Sequence, residues 1–291
     1  MSKPKTHVVF ILDKSGSMSG KETITVSNYN EHVDEVQLRS QEQDIDVSLI
    51  TFGSTVVEHL WRQPASQVEK SSVESYRKII NGSTALMDAW GYSIDKLLDE
   101  TENDPEANYL VIVLSDGGEN ASKNYNYFEI RSRIEELEAT GRWTFTLLGC
   151  DKSYLEQLCS QTGIKQANVA ACNLYDSSEG IKGGKFMRAA SVNYFDARGK
   201  GESVQNLYTS TAENLGFSAS DNSVLNLDNV NIEDQTLITG TADVFNGKVA
   251  TATFAKRAEY DLKAAEFAAQ AVNQNANVKT FAAKAPSPFS K

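Results

Sequence analysis

The stretch "HVVFILDKSGSMSGKE", residues 7–22, joins a run of apolar residues to a short polar loop. The apolar run ends at Asp13, and the next eight residues contain three serines and two glycines. A short continuous run of β-branched, aliphatic and aromatic residues is typical of a strand buried on both faces of a parallel sheet. Ligands of open α/β sheets bind outside the carboxyl ends of the strands, so this acid and these hydroxyls are the first candidates for a binding site.

Further runs of this kind recur along the chain, with helical patterns between them. The predicted strands cover residues 7–12, 45–52, 109–114 and 143–150, and a weaker run at 54–61 can form a hairpin with the second strand. The predicted helices cover residues 21–41, 85–100, 126–141 and 153–163. Strands that alternate with helices predict βαβ units. The fold class is therefore α/β, a doubly wound, mostly parallel sheet with helices on both faces, of Rossmann-like type.

The pattern changes after about residue 175. A last helix over residues 184–196 is predicted to close the α/β domain, and residues 222–254 then alternate with period two. Asn246-Gly247 predicts a hairpin between two of the later runs. We therefore predict a domain over residues 5–200 and a smaller C-terminal appendage over 206–291. The appendage consists of a β-rich segment, an Ala-rich helix at 255–274 and a Pro/Ser tail.

Charge and composition exclude several classes of function. The net charge of −11 makes sequence-independent binding to nucleic acid or to an anionic membrane unfavourable, because both need a basic face. The N-terminus resembles no signal peptide, and no window approaches the ~18 apolar residues of a membrane span. The three cysteines, an odd number without Cys-x-x-Cys spacing, indicate buried or free thiols in a reducing compartment. We expect a cytoplasmic protein.

Three loops offer oxygen ligands for a metal. Asp13, Ser15 and Ser17 follow the first strand, and Gly16 lets the loop turn tightly. Thr84 begins a helix in "NGSTALMDAW", and Asp116 follows a buried strand in "VLSDGGENAS". Each feature alone is an ordinary helix cap or turn. Together, at strand-to-helix ends on one sheet rim, they predict an all-oxygen site for a hard divalent cation, Mg²⁺ or Mn²⁺.

These three segments resemble the metal-ion-dependent adhesion site (MIDAS) of von Willebrand factor A (vWA) domains. "DKSGS" at 13–17, Thr84 in "GSTALMDA" and Asp116 in "LSDGGEN" occur in the family's order, and the resemblance covers roughly residues 5–195. The sequences of these segments are most similar to those of the stand-alone vWA proteins of bacteria and their phages. The resemblance implies the fold described above.

The resemblance also implies a role for each residue of the site. Ser15 and Ser17 would bind the metal through their hydroxyls, and Thr84 would bind it directly or through water. Asp13 and Asp116 would act directly or through bound water, and would hold the serines in place. An open position on the ion would accept an Asp or Glu side chain of a partner protein. On this reading the chain is a non-catalytic, metal-dependent binding module.

Two enzymatic functions, a phosphatase and a nucleotide-dependent enzyme, agree less well with the sequence. The strand-then-Asp start resembles that of haloacid-dehalogenase-type phosphatases, whose Asp is a nucleophile. That chemistry normally uses a second acid two residues on, where this chain has Ser15. The glycine-rich "GIKGGKF" at 180–186 lacks the spacing of a nucleotide-binding loop and indicates a flexible loop instead. We expect no catalytic residues.

A structural role is the alternative to a binding module. A virion or assembly component could use the vWA domain as a rigid building block and residues 206–291 as a docking arm. Its partners would then be further copies of itself or neighbouring virion subunits, and a phage-encoded chain would be virion-associated.

Overall fold

A central sheet of eight strands organises the part of the chain that the computed structural model describes, residues 4–101, 106–230, 232 and 237–250. Its strands are β1 (Lys5–Asp13), β2 (Asp44–Phe52), β3 (Val56–Pro64), β4 (Asn108–Leu114), β5 (Trp143–Gly149), β6 (Val169–Ala171), β7 (Leu225–Asn226) and β8 (Lys248–Val249). The strands lie in the order β7-β6-β5-β4-β1-β2-β3-β8. All these residues belong to one compact unit, residues 1–252.

The first strand, β1, lies at the point where the strand order reverses. It pairs in parallel with β2 on one side and with β4 on the other. β4 to β7 are also mutually parallel, whereas β3 pairs antiparallel with both β2 and β8. The hairpin predicted between the second and third strands is therefore confirmed. The carboxyl ends of β1 and β4 lie side by side at the reversal, where open α/β sheets bind ligands.

Helices cover both faces of this sheet, as the strand pattern requires. They are α1 (Glu22–Arg39), α2 (Val73–Arg77), α3 (Leu86–Thr101), α4 (Tyr127–Ala139), α5 (Lys152–Thr162), α6 (Ser177–Gly199) and α7 (Leu207–Asn214). Alternate residues of β1 face opposite sides: Val8, Phe10 and Leu12 join a hydrophobic cluster with α1, α2, α6 and α7, whereas Val9 and Ile11 join one with α3, α4 and α5. The predicted fold class is confirmed. Among the described residues, no helix is long and apolar enough to cross a membrane.

Helix α6 corrects the sequence prediction. The stretch "GIKGGKF", expected to be a flexible loop, lies inside this helix, which begins at Ser177 and not at residue 184. Its glycines allow a close approach to neighbours. A Cβ atom on Gly180 would lie 2.4 Å from Ile24 Cγ2, and one on Gly184 would lie 2.2 Å from Asn28 Oδ1. Glycine disfavours an isolated helix, but here it lets α6 pack closely on α1, and that packing stabilises the helix.

Two short strands in the described residues after 205 belong to the same sheet. β7 extends it beside β6, and β8 extends it beside β3. The hairpin predicted at Asn246-Gly247 is wrong: residues 237–245 contain only an isolated bridge from Ala242 to Ser71, and β8 pairs with β3 instead. The division into 5–200 and 206–291 stays a prediction. The helix predicted over 255–274 and the Pro/Ser tail after it lie outside the described residues.

Candidate metal centre

Asp13 ends β1 and is buried below the candidate site. The backbone N–H of Ser15 donates to its Oδ1 at 2.7 Å, and the hydroxyl of Ser115 donates to its Oδ2 at 2.6 Å. Burial raises the pKa of the Asp13 carboxyl above its usual range, although both hydrogen bonds act in the opposite direction. Because both of its carboxylate oxygens accept hydrogen bonds, Asp13 holds the backbone of Ser15 and the side chain of Ser115 in place.

Ser15, Ser17 and Asp116 form a contiguous group of oxygens above Asp13. The hydroxyls of Ser15 and Ser17 are 3.0 Å apart, and Ser17 Oγ donates to Asp116 Oδ1 at 2.8 Å. The contact between Ser17 and Asp116 joins the loops after β1 and β4, which are 99 residues apart in sequence. Ser17 is exposed, whereas the Asp116 side chain is only 2% exposed, so the group opens to solvent at the serine.

Thr84 lies on the third loop, just before α3. The N–H of Gly16 donates to the carbonyl of Gly82 at 3.0 Å, which ties this loop to the one after β1. The backbone of Thr84 is bracketed by Asn120, whose Oδ1 accepts from Thr84 N and whose N–H donates to Thr84 O, both at 2.9 Å. Thr84 is buried, and its hydroxyl makes no hydrogen bond with the described residues. The structure therefore joins the loop of Thr84 to the loops that carry the other four predicted residues, but among the described residues no hydrogen bond joins Thr84 itself to any of those four.

Two further acids hold the loop after β4 on the start of α3. Glu119 accepts hydrogen bonds from Met87 N at 3.0 Å and from the hydroxyl of Ser122 at 2.6 Å. Asp88, in the first turn of α3, accepts from the N–H groups of Asn124 and Tyr125 at 2.8 and 3.0 Å. Carboxylates are favourable at a helix N-terminus, because the helix dipole is positive there. These contacts bind the loop after β4 to the N-terminus of α3, beside the site.

Sequence reasoning missed Lys21, Ser115 and Asn120. Ser115 and Asn120 support Asp13 and Thr84, as described above. Lys21 caps the start of α1, and its ammonium contacts Asp116 Oδ2 directly. Burial alone would lower the pKa of Lys21, but the contacts with Asp116 and Tyr175 raise it above its ordinary value. A lysine at a helix N-terminus is electrostatically unfavourable, and that anomaly was the available signal for a nearby acid.

The set of donors fits a hard divalent cation. The five predicted residues supply two carboxylates and three hydroxyls, all oxygen ligands, as Mg²⁺ and Mn²⁺ prefer. Within the part of the chain that the structure describes, no three His, Cys, Asp or Glu side chains group together as ligands for a metal. A site at this rim would therefore depend on serine and threonine hydroxyls beside Asp13 and Asp116, and these neutral ligands would leave the ion electron-poor.

Comparison with known proteins gives one family match. The family model for the von Willebrand factor type A domain matches residues 7–182. No curated protein sequence matches the chain.

The solved structures that match this chain share little sequence with it. Proximal thread matrix protein 1 from the mussel byssus, solved with a zinc-occupied MIDAS motif, is 16% identical over 60% of this chain and 46% of its own, with a TM-score of 0.43. A von Willebrand factor type A protein from Catenulispora acidiphila is 15% identical over 65% and 43%, with a TM-score of 0.42. Manganese-loaded TRAP protein from Plasmodium vivax is 20% identical over 51% and 58%, with a TM-score of 0.39. The chain thus spans about half the length of these proteins.

Proposed function

Because the chain belongs to the von Willebrand factor type A domain family, we propose that it is a non-catalytic binding module that engages a partner protein through a divalent metal. Domains of this family are typically binding modules, and they commonly bind protein partners at a metal-dependent adhesion site. Asp13, Ser15, Ser17, Thr84 and Asp116 would hold Mg²⁺ or Mn²⁺. The partner would contribute an Asp or Glu side chain.

One observation carries this proposal: the Ser15, Ser17 and Asp116 oxygens meet at the carboxyl edge of the sheet, within 3.0 Å of their neighbours. These oxygens belong to the loops after β1 and β4, which are distant in sequence and are brought together by the order of strands in the sheet. When bound, the ion would supply a strong local positive charge that attracts a carboxylate. Ser15, Ser17 and Asp116 would contact it, and Thr84 and Asp13 would support it directly or through water.

The surroundings of Asp13 argue against a phosphatase. A nucleophilic carboxylate needs a free oxygen directed at the substrate, whereas both Asp13 oxygens accept hydrogen bonds from Ser15 and Ser115. The thiol of Cys150 follows β5 at the same edge of the sheet, and burial raises its pKa, which disfavours the reactive thiolate. These features favour binding over chemistry at this site.

The charge of the protein favours a partner contact that uses a cation. A protein with a net charge of −11 repels an acidic partner at long range. A divalent ion between the two carboxylate-bearing surfaces would remove that repulsion locally and would make the complex metal-dependent.

Calorimetry with Mg²⁺ and Mn²⁺ tests the metal site. The wild type should bind one ion. Asp116→Ala should lose binding and should stay folded with a lower melting temperature, because the site lies at the sheet rim but the buried Lys21 ammonium loses its carboxylate. Asp196→Ala, whose carboxylate pairs with Arg39 on the surface, is a control that should bind like wild type. Failure of the wild type to bind either ion at millimolar concentration would refute the metal site.

A pull-down from the native source tests the partner. A specific partner should bind the immobilised protein in Mg²⁺, elute in EDTA, and fail to bind the Ser15→Ala, Ser17→Ala double variant. Equal capture by Asp116→Ala in EDTA would contradict the metal bridge and would direct attention to residues 206–291. Recovery of phage structural proteins would favour the assembly role.

A further inference from the structure

Lys21 is a buried cation next to the candidate metal ligands. Its side chain is 0% exposed, its Nζ contacts Asp116 Oδ2, and it also donates to the carbonyl of Ser17 at 2.7 Å. The exposed ring of Tyr175 covers the ammonium, with 3.7 Å between Nζ and the ring centroid. The ammonium therefore has three favourable neighbours: a carboxylate, a carbonyl and an aromatic face.

Burying the Lys21 ammonium at this position is energetically unfavourable unless these contacts compensate for it. Removing an ammonium from water is unfavourable, and the N-terminus of α1, where Lys21 is the cap residue, repels a cation. The compensation comes from Asp116, which is 95 residues away in sequence. Lys21 thereby joins the loop after β1 to the loop after β4, the two loops whose oxygens form the candidate site.

We propose that Lys21 is the resident cation of this site: it neutralises Asp116 and holds the two loops together before a metal binds, and it weakens the binding of divalent metal. This inference rests on the metal site proposed above. An ion held by Ser15, Ser17 and Asp116 shares the Asp116 carboxylate with the ammonium, and two like charges close together repel. The site consequently keeps its shape in the absence of metal at the expense of affinity.

Calorimetry on charge-removing variants tests the proposal. Lys21→Met keeps the length of the side chain and Lys21→Gln keeps a donor, and both remove the charge. Each should bind Mg²⁺ and Mn²⁺ at least tenfold more tightly than wild type. Lys70→Gln removes the same charge outside this cluster, because Lys70 pairs at 2.8 Å with Asp34, which lies in α1 13 residues beyond Lys21, and this variant should bind like wild type. Unchanged or weaker binding by folded Lys21 variants would overturn the proposal.

The rise in melting temperature on adding metal is a second readout, and it would be the same in wild type and variants if Lys21 had only a structural role. Without Lys21, the buried Asp116 carboxylate lacks its counter-charge, so the variants should melt well below wild type in EDTA. Added Mg²⁺ should recover most of that loss and raise the melting temperature of the variants more than that of wild type. Equal metal-induced shifts in wild type and variants would contradict the proposal.

The two proposals fail in different ways. If wild type binds no metal but a Lys21 variant does, the inference about Lys21 is supported, whereas metal-dependent binding by the wild-type protein is refuted. If wild type binds metal and the variants bind no more tightly, the metal site stands and the inference about Lys21 falls. If neither binds, both are wrong.

Discussion

Replacing Gly180 by Ala should destabilise the protein, although the same change stabilises most helices. Alanine is favoured over glycine in a helix interior by about 0.8–1.0 kcal/mol, so an unpacked Gly180 would gain stability on substitution. The new Cβ, however, would lie 2.4 Å from Ile24 Cγ2 and 2.9 Å from its Cγ1. Carbon atoms prefer separations of about 3.5–4.0 Å, so α6 must move away from α1.

The expected magnitude follows from these distances. Overpacking a core costs about 1–3 kcal/mol, and a β-branched, buried Ile24 has few other rotamers to adopt, which favours the upper end. With about 1 kcal/mol returned by helix propensity, the net loss is about 2 kcal/mol. For a domain of this size that lowers the melting temperature by about 4–8 °C.

Urea denaturation of a double-mutant cycle isolates the contact. Ile24→Ala alone should cost about 2–5 kcal/mol, because it leaves a cavity. In that background Gly180→Ala should be neutral or stabilising, so the coupling free energy should reach at least about 2 kcal/mol. Strict additivity of the two changes, or stabilisation by Gly180→Ala alone, would refute the tight contact between α1 and α6.

Four further predictions concern the metal site, a buried carboxylate and the domain boundary. Mg²⁺ at 100 times its dissociation constant should stabilise wild type by about 2.7 kcal/mol and Asp116→Ala not at all, by thermal unfolding. Asn120→Ala should weaken Mg²⁺ binding about tenfold, because it frees a loop that carries a ligand, and calorimetry measures this. Burial raises the pKa of Glu138 to about 7, so its stabilising contribution is complete below its unfolded pKa of 4.5 and is lost as the pH rises through 7. Glu138→Gln should therefore raise the melting temperature at pH 8 and change it little at pH 4. The exposed Glu135→Gln should leave the melting temperature nearly unchanged at both pH values, and a stabilisation by Glu138→Gln at pH 4 but not at pH 8 would contradict the assignment. Limited proteolysis tests the predicted boundary: a stable fragment ending at 200–206 would support it, and loss of cooperative unfolding on cleavage there would contradict it.

The correct sequence predictions rest on local signals. The four main strands are buried on both faces, so their apolar runs are continuous and easy to recognise. Gly163 ends α5 with φ of +73°, a conformation that favours glycine, which is why the end of this helix could be located. The helix predicted over 126–141 likewise precedes a glycine, Gly141 with φ of +72°, and the structure adds a capping box of Asn126 and Glu129 at its start.

Helix α6 and strand β8 were mispredicted because their stability comes from distant partners. The glycines of α6 weaken its helical pattern, and only the contacts with Ile24 and Asn28 explain them. β8 is two residues long and pairs with β3, which is far away in the chain. The turn signal at Asn246-Gly247 therefore predicts a hairpin that does not form. A local window contains no information about such partners.

The sequence by itself determined the α/β class and the candidate site residues, because Asp13 and Asp116 each follow a buried strand and parallel strands end at a common edge. The metal-binding role of those residues stays a prediction. Only the tertiary structure decided that the acid at 116 is shared between Ser17 and Lys21. That contact depends on β1 and β4 being neighbours and on the burial of an ammonium between them. Pairing across 95 residues is set by the order of strands in the sheet, and no local pattern of side chains encodes that distance.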